Sequence, residues 1–209
     1  MRKLTFIEGI LIYIISSAFM ILFGGYVQMR FGYFGIFLSQ LILIVPCVFY
    51  SLILKLDFKE VFRINKISFK SLVKCFFGWI IGYLVISLIL NFLLINFPEL
   101  VIPLESLDEV LFNESLLLNL FVVALMPAVC EELLFRGFIM KSFKKQKLLG
   151  VVVSSIMFGL LHLYPIKIIS TSLLGFVIGL SVYKTNSIYA GIFIHFINNA
   201  ISVLLYHII

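Results

Sequence analysis

The sequence predicts an all-α protein, a polytopic transmembrane helical bundle of about seven spans. Three observations lead there. Hydrophobic residues make up 63% of the 209 residues and charged residues 12%, against about 45–50% and about 25% in soluble domains, and the mean hydropathy is +1.20. Apolar stretches of roughly 17–25 residues, the length that crosses ~30 Å of hydrocarbon as a helix, recur along the whole chain. Basic residues fall in the segments between alternate stretches. A chain so poor in polar surface must take lipid as its solvent.

The stretches lie near 7–24, 33–54, 73–96, 116–139, 148–164, 167–183 and 188–206. Met1-Arg2-Lys3 before the first resembles the start of a signal peptide, but no A-x-A-like cleavage site follows, and the segment reads as a first anchor. The fifth and sixth meet at Tyr164-Pro165, where proline cannot continue a helix. No repeat, low-complexity tract or soluble domain interrupts the pattern. A single membrane domain is expected, with 1–115 as N-terminal helices and loops and 116–209 as the helical core that carries the chemistry.

Orientation follows from the Lys/Arg bias of short loops. With Arg2 and Lys3 in the cytoplasm, Lys55, Lys59, Arg63, Lys66, Lys70 and Lys74 of the second loop fall inside. So do Lys141, Lys144, Lys145 and Lys147 of the fourth and Lys184 of the sixth. Arg30 and Lys167 fall outside, as does the third loop with Glu99, Glu105, Asp108, Glu109 and Glu114. The net charge of +6 is thus a topology signal that also suits anionic lipid headgroups. Without a basic face interleaved with stacking aromatics, nucleic acid is not expected as a partner. Cys47, Cys75 and Cys130 all lie in or beside apolar segments, show no zinc spacing, and read as small buried side chains.

Polar groups at membrane depth are expensive and usually mark function. Here they are Glu131, Glu132 and Arg136 in the fourth span, His162 in the fifth, and His195 and Asn199 in the seventh. Glu132 and Arg136 are four residues apart and can pair on one helix face. Glu131 points about 100° away and is left free for another task. His195 and Asn199 share a face, as do Phe158 and His162. Counting from the basic end of each helix at 1.5 Å per residue, Glu131 lies ~15 Å in, His162 ~21 Å, His195 ~12 Å and Asn199 ~18 Å. Three helices distant in sequence place their polar groups in one layer.

That layer can activate water and hold an oxyanion. A carboxylate withdrawn from bulk water makes a useful general base. Imidazole can share the proton, bind metal or donate to developing charge, and Asn can supply an oxyanion-hole donor. Neither H-E-x-x-H nor G-x-S-x-G occurs. His207 matches no pattern. Asn113-Glu114-Ser115 fits a glycosylation sequon, a pattern short enough to recur by chance.

Glu131-Glu132-Leu133-Leu134-Phe135-Arg136 reads as E-E-x-x-x-R, Phe158 to His162 as F-x-x-x-H, and His195 to Asn199 as H-x-x-x-N. In this order and at these separations the motifs resemble the CPBP or Abi family, the CAAX proteases and bacteriocin-processing enzymes, over about 116–206. The resemblance implies intramembrane endopeptidase activity. Glu131 would activate the hydrolytic water with help from His162, His195 and Asn199 would hold the oxyanion, and Glu132 and Arg136 would brace the helix. The family is often described as metalloproteases. Glu131, His162 and His195 could hold Zn²⁺ with an open position, so the cofactor is none or Zn²⁺. The substrate implied is a peptide or a membrane-associated protein.

Two other classes compete with this reading. A proton-coupled transporter would use Glu131 and His162 as a relay, but internal repeats are absent and the polar residues crowd into the second half. A non-catalytic immunity or scaffold protein would keep the motifs as structure only. The expected location is the plasma membrane of a bacterial cell, with the N-terminus cytoplasmic.

Overall fold

The computed structural model describes residues 2, 4–100, 114–143 and 146–208. Lys3, Glu105, Asp108, Glu109, the sequon Asn113, Lys144 and Lys145 lie outside them. Among the described residues there are eight helices and no strand. They are α1 (Phe6–Phe31), α2 (Tyr33–Ile53), the short α3 (Phe58–Val61), α4 (Phe69–Asn96), α5 (Leu116–Ser142), α6 (Lys147–Leu160), α7 (Pro165–Thr185) and α8 (Ile188–Ile208).

Local chemistry sets the helix starts. Thr5 and Glu8 form a capping box at the head of α1, and the Glu8 carboxylate also accepts from Tyr50 Oη at 2.6 Å, tying α1 to α2. Asp57 caps α3 by accepting from the Glu60 amide at 3.0 Å. Ser68 caps α4, and Pro165 opens α7 at a position where its missing N–H is not needed.

α5 is the centre of the bundle, in contact with α1, α2, α6 and α8. Of its most apolar stretch 44% is buried, against 6% for α4, which lies on the periphery facing lipid. α4 has 28 residues, about 42 Å of helix at 1.5 Å per residue, so it must tilt within a bilayer. Phe62, Phe135, Phe138, Phe158, Leu43 and Ile139 form the largest core cluster, drawn from both halves of the chain. A second cluster joins Cys75 and Trp79 of α4 to Ile178 of α7 and to Ala190 and Ile194 of α8. All three cysteines are buried and free.

Each expected span has its helix, but the fifth is shorter than the sequence pattern suggests. Among the described residues six helices are long and apolar enough to cross a membrane, whereas α6 has 14 residues, about 21 Å of helix. It stops at Leu160 because the chain turns at once: Leu163 takes φ +61° and Pro165 starts α7. α6 and α7 form a hairpin with Gly159 packed on Ile168 and Ser172 at the tip and Gly179 against Val151 lower down. The hairpin leaves and rejoins the same face of the bundle, so the shortness of α6 does not alter which loops share a side. α1 runs seven residues beyond the expected end at 24, through a π-helical turn at Met20–Gly24, and its Gln28 donates to Ser39 of α2.

Arg2, Asp57, Arg63, Lys141, Lys147 and Asn186 line one cavity, which puts the N-terminus and the second, fourth and sixth loops on one face of the bundle. Three bonds bind the second loop to the sixth: Ile188 N–H to Arg63 O at 3.0 Å, Ser187 Oγ to Asn65 O at 2.6 Å, and Asn65 Nδ2 to Asn186 O at 2.7 Å. At the opposite face Tyr33 Oη donates to Asn119 Oδ1, and Asn119 Nδ2 meets His207 Nε2 at 2.9 Å. His207 therefore joins the end of α8 to the start of α5.

Candidate active site

The middle of α5 is not a regular α-helix. Residues Met126–Glu132 form an α-helical segment between two π-helical ones, Leu120–Leu125 and Leu133–Ile139. π-Bulges recur at functional sites because they turn side chains off the regular helical spiral. The two glutamates sit at the end of that segment, both buried, Glu132 completely.

Glu132 is the hub. Its Oε1 accepts from Arg136 Nη1 at 3.1 Å and lies 3.1 Å from His195 Nδ1. Arg136, with no solvent exposure, also donates from Nη2 to Gly175 O at 2.9 Å, and its guanidinium lies 4.7 Å from the Phe158 ring centroid. Two glycines permit this density. A Cβ at Gly191 would stand 2.6 Å from Glu132 Oε2, and one at Gly175 would stand 2.9 Å from Arg136 Nη2. The expected Glu132–Arg136 pair is therefore present, with a long-range partner, His195, that helical spacing could not reveal.

A carboxylate against Nδ1 makes that nitrogen the donor, which directs Nε2 of His195 the other way. Nε2 lies 3.8 Å from Glu131 Oε2. His162 is not inside the fifth span but in the turn just past the end of α6, because the helix stops at Leu160, and its Nδ1 donates to the Phe158 carbonyl at 3.1 Å. The Phe158 ring stands edge-on to both imidazoles, with centroids 5.2 Å from His162 and 5.5 Å from His195. Asn199 is held by a long bond, 3.4 Å, from Nδ2 to Val123 O in the first π-helical segment.

Glu131, Phe158, His162, His195 and Asn199 all line a single cavity of about 400 Å³. Glu132 and Arg136 do not reach it and stand behind the first row. Sequence reasoning missed the remaining walls. α4 contributes Tyr83 and Ser87, the first turns of α7 contribute Lys167, Ser170 and Thr171, and α8 contributes Asn198. Trp79 Nε1 donates to Asn198 Oδ1 at 3.5 Å, linking α4 to the α8 wall. Tyr and Ser are unremarkable in an apolar helix, so nothing in the third span flagged it. Lys167 reads in sequence as a loop charge.

Among the described residues, no three His, Cys, Asp or Glu side chains are grouped so as to hold a metal ion. Glu131, His162 and His195 share the cavity without converging as a coordination set.

Buried carboxylate, imidazole and carboxamide groups thus meet around one cavity inside an integral membrane bundle. Residues 113–201 match the Rce1-like family, described as type II CAAX prenyl endopeptidase Rce1-like. Over those residues, a little under half its length, the chain is similar to that family, and all seven motif positions fall inside the matched stretch. No curated protein and no solved structure matches the chain.

Proposed function

We propose that the protein hydrolyses peptide bonds of peptide or membrane-associated protein substrates, using water activated by Glu131. One observation carries the reading: Glu131 of α5, His162 of the turn after α6, and His195 and Asn199 of α8 line one cavity, with Glu131 and His195 3.8 Å apart. The family match supports the reaction class.

In the proposed reaction the Glu131 carboxylate takes a proton from water as the oxygen attacks the scissile carbonyl. The negative charge that develops on the carbonyl oxygen is met by Nδ2–H of Asn199 and by His195 in its doubly protonated form, with Nδ1–H on Glu132 and Nε2–H on the oxyanion. Collapse of the tetrahedral intermediate breaks the C–N bond, and the proton held by Glu131, relayed through His162 Nε2, goes to the leaving amine. Glu132 fixes the direction of His195 by accepting from its Nδ1–H, in the way a carboxylate orients an imidazole in a catalytic triad. Arg136 in turn fixes Glu132. The bias of basic residues toward the loops on the N-terminal face favours a cytoplasmic N-terminus, in our reading in a bacterial cell, and the proposed substrate is a protein or peptide met at that membrane.

Single-turnover cleavage of a peptide in ¹⁸O water tests the reaction. One label is expected in the new C-terminal carboxylate and none in Glu131, at a rate unchanged by a chelator. Label in Glu131 would establish a covalent acyl-enzyme instead. Activity that vanishes with the chelator and returns with zinc would overturn the metal-free assignment.

A further inference from the structure

We propose that the cavity on the basic face, distinct from the cavity of Glu131, binds an anionic phosphate group. It measures about 660 Å³, within the range of small-molecule sites. Four cationic side chains line it, Arg2, Arg63, Lys141 and Lys147, against two carboxylates, Asp57 and Glu60. Several of these are already engaged. Arg2 pairs with Glu8 at 2.6 Å and Lys141 with Glu60 at 3.0 Å, and Asp57 caps α3. Among the described residues Arg63 and Lys147 have no carboxylate partner.

Arg63 makes the cavity more than a basic surface. It is 8% exposed, yet among the described residues its one side-chain bond runs from Nη1 to Asn186 Oδ1 at the long distance of 3.5 Å, and its buried Nε has no partner there. Burial pushes the guanidinium below its usual range. Nothing about packing requires that arrangement, since a cation removed from water is normally paired. Backbone bonds hold it in place: Arg63 takes φ +52°, and its carbonyl receives Ile188 N–H at the α7–α8 turn. A fixed guanidinium fork beside a lysine suits phosphate oxygens.

A second feature favours the same ligand. Lys147 is the first residue of α6, and Gln146 before it gives no side-chain cap. Amides at the start of such a helix attract anions. Phe6, Ile64 and Leu148, all exposed and close in sequence to cavity residues, would meet acyl chains if the phosphate belongs to a lipid. A phospholipid headgroup and a soluble phosphate share the recognising chemistry, and the test separates them.

The full chain is purified in detergent, stripped of lipid, and its thermal unfolding is followed with two probes. One is phosphatidylglycerol against phosphatidylcholine in mixed micelles; the other is inorganic phosphate against chloride at equal ionic strength. Phosphatidylglycerol or phosphate should raise Tm by several degrees in the wild type and in Lys70→Gln, an exposed basic residue outside the cavity. The apparent affinity should fall at least tenfold in Arg63→Gln and in Lys147→Gln. Lys147 is exposed, so the second variant keeps the test decisive if the first folds poorly. A response to phosphatidylglycerol alone identifies a lipid headgroup, and a response to inorganic phosphate identifies a soluble ligand. Absence of any shift, or equal shifts in wild type, Arg63→Gln and Lys147→Gln, overturns the proposal.

Discussion

Glu131→Gln is expected to lower kcat/KM for peptide cleavage by about 10²–10⁴-fold, the contribution of a positioned general base, while leaving the fold intact. The substitution keeps the size of the side chain and its contact with His195. It removes only the ability to accept a proton from water. Glu131 takes no part in the Arg136–Glu132 pair within α5, whose members tie that helix to His195 of α8 and to the Gly175 carbonyl of α7. Melting temperature and gel-filtration profile should match the wild type, with the loss confined to turnover. Glu131→Gln with unchanged kcat/KM would remove Glu131 from the mechanism.

Arg136→Met should be the most destabilising single change in the region. The native side chain is wholly buried, pairs with Glu132 at 3.1 Å, bonds the Gly175 carbonyl and lies against Phe158. Methionine fills comparable apolar space but leaves the Glu132 charge buried without its guanidinium. Removing one partner of a buried ion pair typically costs about 3–5 kcal/mol. Removing both should recover much of it, because no orphan charge remains. Equilibrium unfolding in detergent should therefore rank Glu132→Gln/Arg136→Met above Arg136→Met in stability. The double variant would remain inactive, since His195 has lost the carboxylate that orients it. Arg136→Met unfolding like wild type would show that the buried pair contributes nothing to the fold.

Much of this architecture is legible in the chain because membrane insertion simplifies the code. Apolar run length gives the helices, and basic loops give the shared face, where Arg2, Arg63, Lys141 and Lys147 indeed meet. Fixed helical spacing gives local pairs such as Glu132 with Arg136. Spacing cannot give contacts between helices, so the Glu132–His195 bond was not foreseen, although it joins two of the motifs. The length of α6 was overestimated because Leu161 and Leu163 are apolar enough to extend a hydropathy window, while the turn is set by backbone conformation at Leu163 and by Pro165. The π-helical segments of α5 leave no mark in composition. The wall contributed by α4 was invisible for a different reason: Tyr83 and Ser87 are individually ordinary, and only their position opposite Glu131 gives them meaning.

The central claim is that Glu131 and His195 act on the same reacting carbonyl as one unit. Residues that act as a unit are grossly non-additive. The most direct measurement is kcat/KM for Glu131→Gln, His195→Ala and the double variant on one peptide. The account predicts that the double variant is scarcely slower than the slower single variant. Losses that multiply, each single variant keeping its full effect in the presence of the other, would mean that the two side chains act independently, and the shared site would be contradicted.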